Sequence, residues 1–258
     1  YQLFPTTISS IFGIHAVSAS NTDLSTLGDD NINFNIGVKK STNDLRTAKF
    51  QLDSSNASDG SKNIFTNLSN DTSIMGVYDS ERWNLAFRLR PTKYPLADLV
   101  SGSLLGDDDE YTVELYGINY LSDVPKNEFL LSSTISAASA SQFFTKDKRI
   151  YIGAQRTNFT GSVVRHSDVK VSSVRYWLDY LPNETIAAHA RDASIYGTVH
   201  PYKNSNFRIG SDTLKNVKVP QIETLALNWE MENVTGSDAS GRFLVQDFSS
   251  GSISDRNS

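Results

Sequence analysis

The chain has 258 residues, 38% hydrophobic and 10% aromatic, enough for a packed core and too much for a disordered tail. With 24 basic against 29 acidic side chains the net charge is −5 and no basic stripe occurs, which argues against nucleic acid as a partner. Cysteine is absent, which removes disulfide scaffolds, thiol nucleophiles, Fe–S clusters and thiolate zinc sites together, and no apolar run approaches the roughly 18 residues of a membrane-spanning helix.

Residues 1–26 are Ser/Thr-rich with scattered apolar side chains such as Leu3, Phe4, Ile8, Ile11 and Phe12. They are expected either as an arm packing on another chain or as an extra edge strand. The sandwich is expected from residue 27, and strict alternation begins at Asn31. In 31–36 every apolar side chain falls on one side and every asparagine on the other. Trp83, Leu85, Phe87 and Leu89 alternate with Asn84, Ala86, Arg88 and Arg90 until Pro91; Tyr111, Val113 and Leu115 alternate with Thr112, Glu114 and Tyr116, and Gly117 is read as the end of that run. Residues 54–62 and 132–142, rich in Ser, Ala and Asn, read as loops. Further on, Val174, Tyr176, Leu178 and Tyr180 oppose Arg175, Trp177 and Asp179. One helix is predicted, over 184–191, with Asn183 as its N-cap, closing an edge of the sheet. Residues 201–220 read as a linker. The segment 221–258 alternates again through Leu225, Leu227, Trp229 and Met231 to a turn at Gly236-Ser237. It either completes the first set of strands or opens a following module. One buried and one wet face per strand predicts an all-β, antiparallel β-sandwich with one short helix. The chain opens at Tyr1 without methionine and closes on a polar tail, so it reads as part of a longer polypeptide.

The residues 149–154, then Phe159-Thr160-Gly161-Ser162-Val163, then Val171 to Trp177, then the Ile186–Arg191 helix resemble the C-terminal half of laminin-G-like domains in the concanavalin A-like lectin/glucanase superfamily. The resemblance implies a jelly-roll sandwich over residues 27–200, with Gly153 giving close backbone approach and Gly161 a tight turn. Long chains of such modules also resemble structural proteins of marine bacteriophage tails and capsids. The absence of cysteine and the Asn/Ser/Thr content fit that style.

No Gly-x-Ser-x-Gly elbow, His-Glu-x-x-His helix, P-loop or dinucleotide fingerprint occurs. His15, His166, His189 and His200 lack metal-ligand spacing and read as surface or helix-end residues. Glucanases of the superfamily carry carboxylates at i, i+2 and i+4 on one strand. Here Glu110 and Glu114 share a face, but Thr112 holds the middle position, and the two project about 13 Å apart along a strand. Catalytic pairs stand about 5–9.5 Å apart, so a solvent-facing strand is the expectation and no catalytic residue is assigned. Asp107, Asp108 and Asp109 form either an acidic turn or a calcium site at the sandwich rim. For carbohydrate, Trp177 with Arg175 and Asp179 is the candidate platform, unless that face packs against the Ile186 helix; Tyr116, with Tyr94 and Tyr120, is a weaker candidate. The leading expectation is a non-enzymatic structural or adhesion module of a virion protein, its partners other virion proteins, copies of itself or cell-surface glycans. The alternative is a secreted, extracellular carbohydrate-binding or glucanase-like domain.

Overall fold

The computed structural model describes residues 8–16, 34–41, 46–54, 65, 67–70, 74–77, 81–92, 110–145, 148–156, 163–167, 169–178, 180–192, 225–237, 243–247 and 249. Among them the chain is built almost wholly of antiparallel strands. One sheet holds β1 (Phe12–Ala16), β2 (Phe34–Lys40), β3 (Thr47–Asp53), the two-residue β4 (Leu68–Ser69) and β5 (Ile74–Met75), and β9 (Lys148–Ile152), in the order β4-β3-β2-β1-β9 with β5 also on β3. A second sheet is the meander β6 (Trp83–Pro91), β7 (Glu110–Leu121) and β8 (Val124–Ser136).

These two sheets face each other. Alternation supplies the core: Phe34, Ile36 and Leu52 from the first sheet meet Val113, Leu115 and Ile135 from the second, with Leu85, Phe87 and Leu89 of β6 packed against them. Phe34 stacks on Phe87 at 3.9 Å between centroids, and Phe50 on Phe129 at 5.1 Å. The all-β sandwich class is therefore as the alternation predicts.

The one-wet-face rule fails in both middle strands. Asn35 is 3% exposed because Ser10, in the segment leading into β1, lies against it and donates through Oγ to its Oδ1 at 2.6 Å. β7 is buried on both faces from Val113 to Asn119. One face meets the core; the other meets α2 (Asn183–Arg191), through a second cluster of Tyr116, Ile118, Leu181, Ile186 and Ala190. The helix thus covers a sheet face where an edge closure was expected. Its N-cap is Pro182, whose ring has no acceptor to make a side-chain cap bond, while the Asn183 amide oxygen, one residue inside the helix, is held by Arg88.

Other departures have equally local causes. β1 is neither arm nor edge strand: β2 and β9 flank it, with Phe12 opposite Ile36 on one side and Ile152 on the other. Gly117 does not end β7. It sits mid-strand where the Phe129 ring of β8 crosses, and the strand continues to a two-residue hairpin at Ser122 and Asp123, φ +49° and +66°. The Ser/Ala-rich stretch becomes a second helix, α1 (Ala137–Thr145), whose first turn is held by Ser139 N–H donating to Ser136 Oγ at 3.2 Å and which buries Ala140 and Phe143 in the core. Gly153 is needed for its φ of +71° and not for close approach, since a Cβ there would meet nothing within 4 Å.

β10 (Ala154–Arg156) and β11 (Val163–His166) form a small hairpin sheet, tied to the first by Arg165 Nη1 donating to Asp53 Oδ2 at 2.7 Å. β12 (Ser173–Trp177) pairs with β13 (Leu225–Ser237), which pairs with β14 (Phe243–Asp247). β13 and β14 therefore join a strand that lies before residue 200, and β13 ends at Ser237, where the turn was expected. The boundary 201–220 lies outside the described residues.

Candidate functional site

The carboxylate that the strand pattern singled out is the centre of a buried ionic cluster. Glu114 points from β7 toward α2 and is 3% exposed. Arg88 lies directly across on β6, and Arg90 two residues further on the same face. Arg90 donates through Nε and Nη2 to Glu114 Oε1 at 3.0 and 2.8 Å; Arg88 Nη2 reaches Oε2 at 2.9 Å; the Tyr180 hydroxyl donates to Oε2 at 3.2 Å. A carboxylate has about four acceptor positions, and four donors occupy them here.

The arginines are held in turn. Arg88 Nη1 donates to Leu181 O at 3.0 Å and to Asn183 Oδ1 at 2.7 Å, and its guanidinium lies 4.9 Å from the Tyr180 ring centroid and 5.3 Å from that of Tyr116. Burial pushes the Tyr180 and Tyr116 phenols above their ordinary range, with the Glu128 carboxylate that accepts the Tyr116 hydroxyl at 2.8 Å adding to the second shift. Both rings are therefore neutral at physiological pH. The cluster carries two cations and one anion, and it fastens the chain entering α2 to the middle of the second sheet. Removing one partner of such a pair costs about 3–5 kcal/mol. The solvent-facing strand expected for Glu114 is thus corrected: α2 and its lead-in cover that face. Glu110, at the first position of β7, is exposed, and the fold does not bring the two carboxylates together.

The carbohydrate candidates are dispersed. β12 presents the opposite face from the one its alternation suggests: Tyr176 is 39% and Leu178 72% exposed, while Trp177 packs on the α2 cluster. A register shift between Tyr176 and Trp177 accompanies this. The indole lies 5.9 Å from the His189 ring at 22°, stacked, so one ring face is covered by the helix. Arg175 donates through Nε to Asn228 Oδ1 at 3.1 Å within its own sheet. Tyr116 is 1% exposed, mid-strand and away from any loop. Asp179, Asp107, Asp108, Asp109 and Tyr94 lie outside the described residues. Among the described residues no group of three or more acidic or histidine side chains has metal-binding geometry.

Tyr120 is better placed. Near the β7–β8 hairpin a shallow cleft of about 380 Å³ is lined by Arg82, Tyr120, Ser122, Asp123, Ala190 and Arg191. The Arg191 guanidinium lies 5.4 Å from the Tyr120 ring centroid, and Arg82 Nη2 donates to Ala190 O at 2.7 Å and Arg191 O at 3.1 Å, satisfying carbonyls that end α2. Aromatic, basic, hydroxyl-bearing and acidic residues thus line one open cleft. Sequence reasoning underrated it because Tyr120 and Arg191 are 71 positions apart in the chain and only the packing of α2 on β7 joins them.

One histidine departs from expectation: His15 is 2% exposed inside the first sheet, whereas His189 stands in the last turn of α2 and His166 is at the surface. Comparison with protein-family models, curated proteins and solved structures finds no match to this chain. No helix among the described residues is long and apolar enough to cross a membrane.

Proposed function

We propose that this chain is a non-enzymatic structural and adhesion module of a larger virion protein. The observation that carries the non-catalytic part is Glu114, whose four acceptor positions are taken by Arg88, Arg90 and Tyr180 beneath α2. A glycosidase carboxylate must face the scissile bond with its partner within about 9.5 Å, and Glu110 stands four residues away along an extended strand. The cleft beside Tyr120 supports the adhesive part, since sugar recognition combines an aromatic surface with a few hydrogen-bonding groups. The virion part rests on the cysteine-free, Asn/Ser/Thr-rich sequence and its phage-like modular style.

The test is a glycan array run with calcium and with chelator, beside a panel of β-glucan hydrolysis assays. The expected outcome is no turnover of any glucan, and retention on a subset of glycans that Tyr120→Ala removes. Hydrolysis abolished by Glu110→Gln, an exposed and structurally mild change, overturns the reading. Silence on the array without hydrolysis removes the adhesive half and leaves the scaffold. Antibodies to the chain are expected to label intact virus particles; labelling of cells alone overturns the virion assignment.

A further inference from the structure

β8 is an edge. Over its whole length one side pairs with β7, from Val124 opposite Leu121 to Ser136 opposite Glu110, and among the described residues no strand pairs with the other side. Thirteen residues make a long edge, and edges of that length are usually blunted by proline, lysine, bulges or covering segments. Here the blunting is confined to one end. Pro125 and Lys126 stand next to the hairpin, opposite a bulge between Asn119 and Tyr120, and Lys126 is ion-paired with Glu81. From Phe129 to Ser136 the edge carries no charge, no proline and no glycine. Leu130 is 48% exposed, and Ser132, Thr134 and Ser136 are exposed on the same face.

We propose that this edge is where a second copy of the chain docks, by antiparallel pairing of β8 with β8 about a two-fold axis through Ser132. An antiparallel strand is self-complementary under a two-fold, so one surface serves both partners. The register is chosen by its side chains. An axis at Ser132 sets Phe129 opposite Ile135 and Leu131 opposite Ser133 on the core-facing side, extending the apolar interior from one copy to the next. On the other side Leu130 meets Thr134, Glu128 meets Ser136 and Ser132 meets itself. No charge faces a like charge, and the one carboxylate in the paired stretch faces a hydroxyl. Moving the axis to Leu131 sets Phe129 against Ser133 and Ile135 against Asn127, which loses the apolar match. The product is a continuous six-stranded sheet, β6-β7-β8 followed by its symmetry copy. The inference goes beyond the function proposed above and does not rest on it: a monomeric chain would leave the hydrolysis and glycan outcomes unchanged.

The test is sedimentation of the full chain across a concentration series. The wild type is expected to dimerise. Ser132→Lys puts two ammonium groups face to face on the axis and is expected to weaken the dimer by at least tenfold, roughly the effect of one like-charge contact, with an unchanged circular dichroism spectrum. Leu130→Lys is expected to weaken it as well, and adding Thr134→Glu to that variant to restore it, because the two positions face each other only in this register. A wild type that stays monomeric at every concentration overturns the proposal, as does a dimer indifferent to Ser132→Lys. Weakening by Leu130→Lys without rescue by Thr134→Glu overturns the register.

Discussion

His15 stands on β1 directly across from Arg149 of β9, with its ring edge-on to Tyr151 at 5.0 Å. Burial, and secondarily the Arg149 cation, push its pKa from the ordinary 6.5 down to about 4. The folded chain therefore keeps this ring neutral over a range in which the unfolded chain protonates it. Below pH 6.5 the unfolded state binds the extra proton, so stability falls as pH drops from 6.5 toward 4 and levels off below. The contribution is about 3 kcal/mol across that window. Denaturant unfolding at a series of pH values, for the wild type and for His15→Phe, isolates it from the carboxylates that titrate in both. The variant is expected to lose the extra slope between pH 6.5 and 4; equal slopes would show that His15 titrates normally in the fold. Glu114 illustrates the opposite solution to burial. It is taken out of water together with two cations and a hydroxyl, so that every lone pair it brings inside finds a donor.

At the scale of elements, β7 and β8 depend on one glycine. A Cβ at Gly117 would run into Cε1 and Cζ of Phe129 and come within 3.0 Å of Leu85 Cδ2. Phe129 has no room to withdraw, because its ring stacks on Phe50 at 5.1 Å and lies 6.2 Å from Trp83. Gly117→Ala is expected to destabilise the chain by about 1–3 kcal/mol, the usual cost of overpacking. Combined with Phe129→Leu it should cost less than the two changes added, which thermal melts of the single and double variants read directly; strict additivity would mean that the ring is not the obstacle. That glycine also marks where the sequence stops being legible. β6 is readable because its apolar residues line one core and its polar residues the other side. β7 is readable only as far as Gly117, because burial on both faces then hides the period and a glycine serving a neighbour's ring looks like a terminator. α1 was concealed by serines and alanines that suit a loop, although Ser136 with Ala140 and Phe143 carries a cap and an apolar spacing. α2 was legible from its proline start. Of the site, the sequence shows Glu114 but not the cross-strand register that sets Arg88 against it, nor the helix packing that sets Arg191 beside Tyr120.

At the scale of the molecule, the two facing sheets and α2 are layered around β7 among the described residues. One face of that strand meets the aromatic core shared with the six-stranded sheet, the other meets α2, and both of its edges are paired, by β6 and by β8. No such enclosure holds for β10 and β11, which form a two-stranded sheet of seven residues, with Val163 and His166 exposed. Amide exchange follows opening free energy, which is highest where a strand can release its hydrogen bonds only by breaking core contacts on every side. Hydrogen exchange read by mass spectrometry should therefore show residues 113–119 as the slowest segment, exchanging by global unfolding, and the β10–β11 hairpin as the fastest of the paired strands described. The Glu114 cluster predicts one further coupling. Because Arg88 holds both the β7 carboxylate and the backbone entering α2, Arg88→Leu should speed exchange in residues 183–191 well before it affects the core of the first sheet. If the helix and that sheet lose protection together in the variant, α2 is not an independent layer and the cluster holds the entire sandwich rather than its outer face.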